Sequence, residues 1–218
     1  MRNLRKLIHK IILESAASNA KGVQDIVREN LRVEVWGRKR GVSIYMLDEN
    51  DDQVFRLNVV SKTGNPDVFM VGAAYVEDSK ADGFGPLMYD IAMEWTTKVF
   101  GKWLTADRGT CEPDAQRVWQ FYKDNRIGQD GITAIPLDNH RNVVSPQDDD
   151  NVDTMMADDL YYSSNNYQYS LRHPGSEDTI QAVWYSRNGM MYGYKKEPVV
   201  IPQLLAMPEI FKIKGGKW

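Results

Sequence analysis

The sequence predicts an α/β (α+β) fold in which helices flank a central, mostly antiparallel sheet. The first observation is that the hydrophobic pattern changes from helical to alternating near residue 32. The second is a series of four alternating segments between residues 33 and 77, joined by polar connections. The third is a glycine-containing loop that leads from the last of these segments into a helical pattern. With 218 residues, 42% of them hydrophobic, the chain is long enough to bury one core between such layers.

Two helices are predicted ahead of the sheet. In the first, over residues 3–18, an apolar stripe at helical spacing lies opposite a basic face. The second follows Gly22 and extends to about Leu31. Residues 1–31 are therefore interpreted as a basic amphipathic arm, which either covers a core, lies on a membrane or binds a partner. The apolar stripe consists of Leu4, Leu7, Ile8, Ile11 and Ile12.

The next elements follow in chain order. Strands are predicted over residues 33–36, 41–47, 53–60 and 68–77, with a polar turn at 48–52 and a break at 64–66. A helix over 86–100 ends at Gly101, where glycine favours termination. A strand over 102–107, a helix that opens at Glu112-Pro113 and a strand over 132–137 complete the core, for which we take residues 32–137.

Residues 138–218 are predicted to form a C-terminal extension. Its segment 148–159 contains six Asp and no basic residue, and is interpreted as a solvated loop or a docking site for the basic arm. Strands over 182–186 and 190–194 flank Arg187-Asn188-Gly189, a strong hairpin signal in an aromatic-rich region. The tail carries Pro198, Pro202 and Pro208 and is expected to run extended across the surface.

Composition and charge restrict the class of protein. No apolar run approaches the roughly 18 residues that a membrane helix requires, so no membrane span is expected. A single cysteine, Cys111, excludes an internal disulfide and a thiolate zinc cluster. Because the three histidines are scattered along the chain, no metal site is expected. Residues 1–40 hold ten Arg or Lys against four Asp or Glu, whereas the whole chain has a net charge of −3. Such a basic region suits nucleic acid, an acidic partner or the acidic body of the same chain.

The glycine-containing loop, residues 80–87, has the composition of an anion-binding site. Gly83 and Gly85 can adopt positive φ angles and allow the backbone to approach a ligand closely. The following helix directs free N–H groups and the positive end of its dipole at whatever lies before it. A strand, a Gly-x-Gly loop and a helix in this order therefore suit a pyrophosphate, although the same glycines also suit a tight connection without a ligand.

Two motifs resemble those of the GNAT (GCN5-related N-acetyltransferase) family. Gly83 and Gly85 fit the two small positions of its acetyl-CoA loop, Gln/Arg-x-x-Gly-x-Gly/Ala, and Lys80 stands where the family prefers Gln or Arg. The next helix reads Ala115-x-x-Val118-Trp119-x-Phe121-Tyr122, which fits the family's aromatic pair. The sequence of the glycine loop is especially similar to that of small GNAT-like proteins encoded by bacteriophages. The resemblance covers roughly residues 30–127.

The resemblance implies an acetyl-CoA-dependent N-acetyltransferase, with acetyl-CoA as co-substrate, no metal, and an unidentified small-molecule or protein amine as acceptor. It makes Tyr122 the candidate general acid that protonates the departing thiolate. Glu77, at the end of the fourth strand, is the nearest carboxylate to the expected thioester and the candidate general base. The implied cofactor-binding residues are Val76, Lys80, Ala81, Asp82, Gly83, Phe84, Gly85 and Leu87.

An alternative is a catalytically degenerate GNAT-fold protein with a structural role, for example a phage virion or accessory component. The Lys80 ammonium is a point charge and lacks the planar, bidentate hydrogen-bonding geometry of an Arg guanidinium. Pro86 has no backbone N–H that could bind a phosphate. In this interpretation the basic N-terminal helix or the aromatic C-terminal region binds a protein partner, and nucleic acid is not the expected partner. The expected location is the cytoplasm, which is the host's if a phage encodes the chain, or alternatively the virion.

Overall fold

The computed structural model describes residues 20–61, 67–106, 113–136, 161–163, 168–170 and 192–218. These residues form four α-helices and ten strands. The helices are α1 (Val23–Arg28), α2 (Gly85–Trp95), α3 (Pro113–Asn125) and α4 (Val200–Leu205). The strands are β1 (Arg32–Arg38), β2 (Gly41–Leu47), β3 (Gln53–Ser61), β4 (Val68–Val76), β5 (Trp103–Ala106), β6 (Ile132–Pro136), β7 (Tyr161–Ser163), β8 (Gln168–Ser170), β9 (Tyr192–Lys196) and β10 (Phe211–Ile213).

Eight of the strands form one mixed, mostly antiparallel sheet, as the sequence predicts. Its order is β10-β1-β2-β3-β4-β5-β9-β6, and β7 pairs with β8 in a separate two-stranded sheet. Strands β1 to β4 form an antiparallel meander. Two neighbouring pairs are parallel, β10 with β1 and β4 with β5. Strand β9, from the C-terminal region, lies between β5 and β6 and is antiparallel to both.

The meander buries one face of the sheet because its apolar residues alternate with polar ones. The register aligns Val35, Ile44 and Leu57 directly across three strands, and all three are fully buried. Residues one position along each strand lie on the other face, where Trp36 and Tyr75 are exposed. The alternation of apolar and polar residues along the strands therefore decides which face of the sheet packs against helix α2.

Helix α2 lies at the centre of the core. Every residue from Leu87 to Trp95 is buried, which requires neighbours on all sides of the helix. The helix packs against β2, β3, β5, β9 and α4, and the rings of Tyr89 and of Trp119 in α3 are perpendicular, with centroids 5.2 Å apart. The predicted helix over 86–100 is confirmed in outline, since a π-helical turn over Thr96–Phe100 follows α2 and ends at Gly101 with φ 68°.

The prediction of an extended C-terminal tail is wrong. Residues after Pro198 form α4 and then β10, which pairs in parallel with β1 at the edge of the sheet. The cause is a distant side chain: the Glu94 carboxylate in α2 accepts the N–H groups of Val200 and Ile201, each at 2.8 Å. This carboxylate satisfies donors that a helix start would otherwise leave unpaired. Local proline content therefore gave the wrong expectation.

A buried ion pair joins α2 to β9. Glu94 and Lys196 are 0% and 1% exposed, and the Lys196 Nζ atom donates to Glu94 Oε1. Asp90, one turn earlier in α2, lies 3.9 Å from the same Nζ atom. Charges this deep are tolerated only when they are paired and hydrogen-bonded. The pair therefore fixes the position of β9 relative to the central helix.

Apart from β7 and β8, which were not predicted, the other strands and helices agree with the sequence predictions to within a few residues where the chain is described. The second predicted helix is α1, and the polar turn at 48–52 connects β2 to β3. The first predicted helix, the acidic segment 148–159, Cys111, Glu112 and the turn at Arg187-Asn188-Gly189 lie outside the described residues.

We expect Glu94→Gln to reduce the free energy of unfolding by about 3–5 kcal/mol, because the Lys196 ammonium would stay buried without a carboxylate. Urea unfolding followed by circular dichroism measures the change. The control is the double variant Glu94→Gln/Lys196→Met, which also removes the buried ammonium, keeps an amide oxygen for the N–H groups of α4 and should be more stable than Glu94→Gln. A double variant less stable than the single one would contradict this account.

Candidate ligand-binding cleft

A cleft opens where β4 extends past β5. The two strands pair only from Val68 to Val71 on β4, which leaves Gly72 to Val76 unpaired by any described strand on that edge. Gly72 is also an extra residue opposite β3, since Asn58 pairs with Ala73 and Val59 with Val71. Such a bulge bends a strand locally. The second half of β4 therefore has an edge without a partner among the described residues, which we call the free edge, and Val76 is 57% exposed there.

Backbone N–H groups of this half-strand point into the cleft. Glu77 donates its N–H to the Val54 carbonyl of β3, at 2.9 Å. Successive residues of an antiparallel strand direct their hydrogen-bonding groups to opposite sides. Ala74 and Val76 therefore direct their N–H groups away from β3, towards the free edge. The edge thus offers two backbone N–H donors, at alternate residues of the strand.

The walls of the cleft come from three elements besides β4. Gly85 and Tyr89 of α2 and Ala115 and Val118 of α3 face the strand, and the cleft has a volume of about 640 Å³. A space of this size is within the range of ligand-binding pockets. The cleft is mainly apolar, and no described side chain that lines it ionises near neutral pH. The lining residues are Phe55, Gly72, Ala73, Ala74, Tyr75, Val76, Gly85, Tyr89, Ala115 and Val118.

The loop before α2 is held by its own backbone. The Asp78 carboxylate accepts the N–H of Lys80 at 2.7 Å and begins a short 3₁₀ turn over Ser79–Ala81. Gly83 follows with φ 84°, a conformation that favours glycine. The side chains of Ala81 and Phe84 are buried, so they anchor the loop in the core.

Helix α2 begins at the cleft with few backbone donors available. Gly85 is its first residue and Pro86 its second, so within the first three positions only Gly85 and Leu87 carry an N–H. A Cβ atom added at Gly85 would lie 3.9 Å from Val118 Cγ2, which is ordinary contact. A longer side chain at this position would project into the space between α2 and α3.

Lys80 is engaged by a neighbouring turn. Its Nζ atom lies 2.7 Å from the Asp48 carboxylate and 3.7 Å from that of Glu49, in the connection between β2 and β3. The hydrogen bond from Lys80 lowers the pKa of Asp48, and the same contact raises the pKa of Lys80. The predicted phosphate-binding ammonium is therefore part of an ion pair in this structure.

Tyr122 is fully buried and does not line the cleft. Its hydroxyl lies 2.5 Å from Asp90 Oδ1 and 3.0 Å from the Pro86 carbonyl oxygen. Burial, and then the neighbouring Asp90 carboxylate, raise the pKa of Tyr122 well above its usual value. The tyrosine predicted as general acid therefore holds α3 against α2 through this hydroxyl.

Glu77 is exposed, and its carboxylate accepts a hydrogen bond from the Gln53 amide across the end of the β3–β4 pair. It follows the last cleft residue of β4 but does not line the cleft. Among the predicted cofactor-binding residues, Val76 and Gly85 line the cleft, whereas Ala81, Phe84 and Leu87 are buried and do not line it.

Sequence reasoning missed most of the cleft. The floor residues Gly72, Ala73 and Ala74 and the wall residue Tyr89 were not candidates. A glycine inside a strand pattern, as at Gly72, often marks a bulge or close backbone approach, and this signal was available. The N–H groups of the free edge carry no sequence signal, because they depend on where β5 ends.

Comparison with known proteins identifies no relative: no family model, curated protein or solved structure matches the chain. Within the described ranges, no three His, Cys, Asp or Glu side chains converge as metal ligands. No helix in this part of the chain is long and apolar enough to cross a membrane.

Asp90 gives a pH-dependent test of the packing behind the cleft. Burial raises its pKa above the ordinary value of 3.8, although Lys196 and Arg126 oppose the shift. A raised native pKa means that the native state binds the proton more tightly than the unfolded chain does. The stability that Asp90 contributes is therefore greatest below pH 3.8 and is lost as the pH rises through the native pKa.

We accordingly expect the stability of the parent protein, relative to Asp90→Asn, to fall as the pH increases from about 4. Urea unfolding of both proteins at intervals between pH 4 and pH 8 provides the difference in unfolding free energy. If the parent instead became more stable relative to Asp90→Asn as the pH rises, the attraction of Lys196 and Arg126 for the Asp90 carboxylate would outweigh the effect of burial.

Proposed function

We propose that the chain is a GNAT-type N-acetyltransferase that binds acetyl-CoA in the cleft between β4, α2 and α3. The observation that carries the proposal is the free edge of β4, which runs towards the start of α2 between two apolar walls. In the GNAT family two parallel strands diverge at the equivalent point and admit the thioester arm. An apolar cleft with backbone donors along one side suits a pantetheine chain, whose amides need hydrogen-bond partners.

The free N–H groups of β4 supply the electrostatic part of the chemistry. Transfer begins when the nitrogen of a neutral amine attacks the thioester carbonyl carbon, and negative charge develops on the carbonyl oxygen. Backbone donors such as those of Ala74 or Val76 stabilise that charge. The C–S bond then breaks as the amide forms, and the thiolate takes up a proton.

Tyr89 is the proposed proton donor to the thiolate. It lines the cleft, whereas Tyr122 hydrogen-bonds with Asp90 and Pro86 behind it. The proton that the amine releases returns to the tyrosine by way of solvent, so atoms and charge balance over the cycle. Since no described cleft residue acts as a base near neutral pH, the amine has to enter in its neutral form. The rate should then rise with pH up to the pKa of the amine.

The second candidate is a GNAT-shaped binding protein without catalysis. It is favoured by the ion pair of Lys80 with Asp48 and by the lack, in the described cleft lining, of a side chain that ionises near neutral pH. In this case the cleft is retained as scaffold, and the chain acts as a structural or accessory component, for example of a phage particle. Function depends on the site and not on the fold, so a ligand-binding measurement separates the two candidates.

Isothermal titration of acetyl-CoA into the protein should show micromolar binding that Gly85→Glu abolishes. The new carboxylate would enter the space between α2 and α3 and repel the pyrophosphate. Leu205→Glu is the matched control, because it adds the same charge at a residue of α4 that is 46% exposed. Absence of heat at millimolar acetyl-CoA would reject the enzyme and favour the scaffold.

We expect Tyr89→Phe to lower kcat about 100-fold, a typical loss for an acid–base catalyst. Tyr122→Phe should leave kcat nearly unchanged and instead reduce thermal stability. The assay measures release of the CoA thiol with a panel of polyamines, aminoglycosides and peptide amines as acceptors. The opposite pattern would return the acid role to Tyr122.

A further inference from the structure

A basic patch lies at the edge of the sheet opposite the cleft. It combines the turn between β1 and β2 with the C-terminal segment, which run side by side because Gly37 N–H lies 3.1 Å from the Lys214 carbonyl and 3.2 Å from that of Gly215. The approach is close: a Cβ atom added at Gly37 would lie 2.6 Å from the Gly215 oxygen. We define the basic patch by Arg38, Lys39, Arg40, Lys212, Lys214 and Lys217, all of them exposed.

The charge of this patch is nearly uncompensated. No Asp or Glu occurs in residues 35–47 or 210–218, although the whole chain has a net charge of −3. Lys214 pairs with the buried Glu34 at 2.8 Å. In the described part of the chain, the other five cations of the patch form no ion pair. Six cations against one buried carboxylate produce a strong local positive field in an acidic protein.

An aromatic side chain stands in the middle of these cations. Trp36 is 41% exposed, and its Nε1–H donates to the Glu34 carboxylate at 3.1 Å. Lys214 Nζ lies 4.9 Å from the Trp36 ring, and the ring of Tyr45 meets it edge-on at 6.0 Å. The indole is thus held in one orientation with part of its surface open.

The aromatic character continues across the same face of the sheet. The register places Tyr45, Arg56 and Tyr75 directly opposite one another on β2, β3 and β4. The Arg56 guanidinium lies 4.8 Å from the ring centroid of Tyr75, which is 50% exposed. The described helix α2 packs on the opposite face, formed by residues such as Ile44 and Leu57. A row of rings and cations therefore runs from the basic patch across this face, on which Trp36 and Tyr75 are exposed.

We propose that this face binds single-stranded nucleic acid, with phosphates on the basic patch and a base stacked on Trp36. Proteins that bind single strands combine a positive track for the backbone with aromatic side chains for the bases. An acidic polypeptide would use the cations but not a fixed, open indole. The inference is independent of the proposed acetyl transfer, because the basic patch and the cleft lie at β1 and β4, with two strands between them.

Fluorescence anisotropy with labelled oligo-dT and oligo-U of about 15 nucleotides tests the proposal on the full chain. We expect binding at 50 mM salt. The logarithm of the binding constant should fall with the logarithm of the salt concentration at a slope between about −2 and −4, as three to six phosphate contacts with release of counterions predict. Trp36→Ala should weaken binding about 5- to 150-fold, the range for one lost stacking contact. Trp36→Phe, which keeps a ring, should restore most of it.

Charge variants separate the patch from a general effect of charge. Arg38→Glu/Arg40→Glu should abolish binding, whereas Arg28→Glu/Lys98→Glu, with the same change of charge at exposed residues outside the patch, should not. Circular dichroism melting verifies that each variant is folded. Equal loss in both double variants, unchanged binding by Trp36→Ala, or equal competition by polyglutamate would each overturn the proposal, as would no binding at 50 mM salt.

Discussion

The buried carboxylate of Glu94 is the interaction on which the arrangement of the chain depends. It neutralises the Lys196 ammonium of β9 and accepts the first N–H groups of α4. A charge in a low-dielectric core is acceptable only with such complete pairing. One side chain of the central helix therefore holds two segments that arrive about a hundred residues later, and these bring β9 and β10 to the sheet.

Helix α2 also links this interaction to the cleft. Its N-terminal half lines the cleft at Gly85 and Tyr89. Asp90 and Glu94 belong to the buried network with Arg126, Tyr122 and Lys196. The hydroxyl of Tyr122 reaches back to the Pro86 carbonyl in the first turn. The walls of the cleft are therefore held by the same contacts that stabilise the core, which suits a preorganised binding site.

The sheet separates two surfaces of different chemistry. The free edge of β4 is apolar with backbone donors, and the cations gather beside β1, on the far side of the meander. The described helix α2 packs on one face of the meander, whereas Trp36 and Tyr75 are exposed on the other. Acetyl-CoA binding at one surface and nucleic acid binding at the other would share one residue among those described, Tyr75, which belongs to both the cleft lining and the aromatic row.

The amino-acid sequence by itself determined the meander, the glycine loop and the helices α1, α2 and α3, because their periodicity and turn residues act between near neighbours. The tertiary structure decided what depends on distant partners. Asp48 lies 32 positions from Lys80 yet occupies its ammonium. Tyr122 became a structural contact through Asp90, and Pro202 of the tail entered a helix capped by Glu94. The cleft lies where the described pairing of β4 with β5 stops at Val71 while β4 continues to Val76, and local patterns do not encode how far two strands pair.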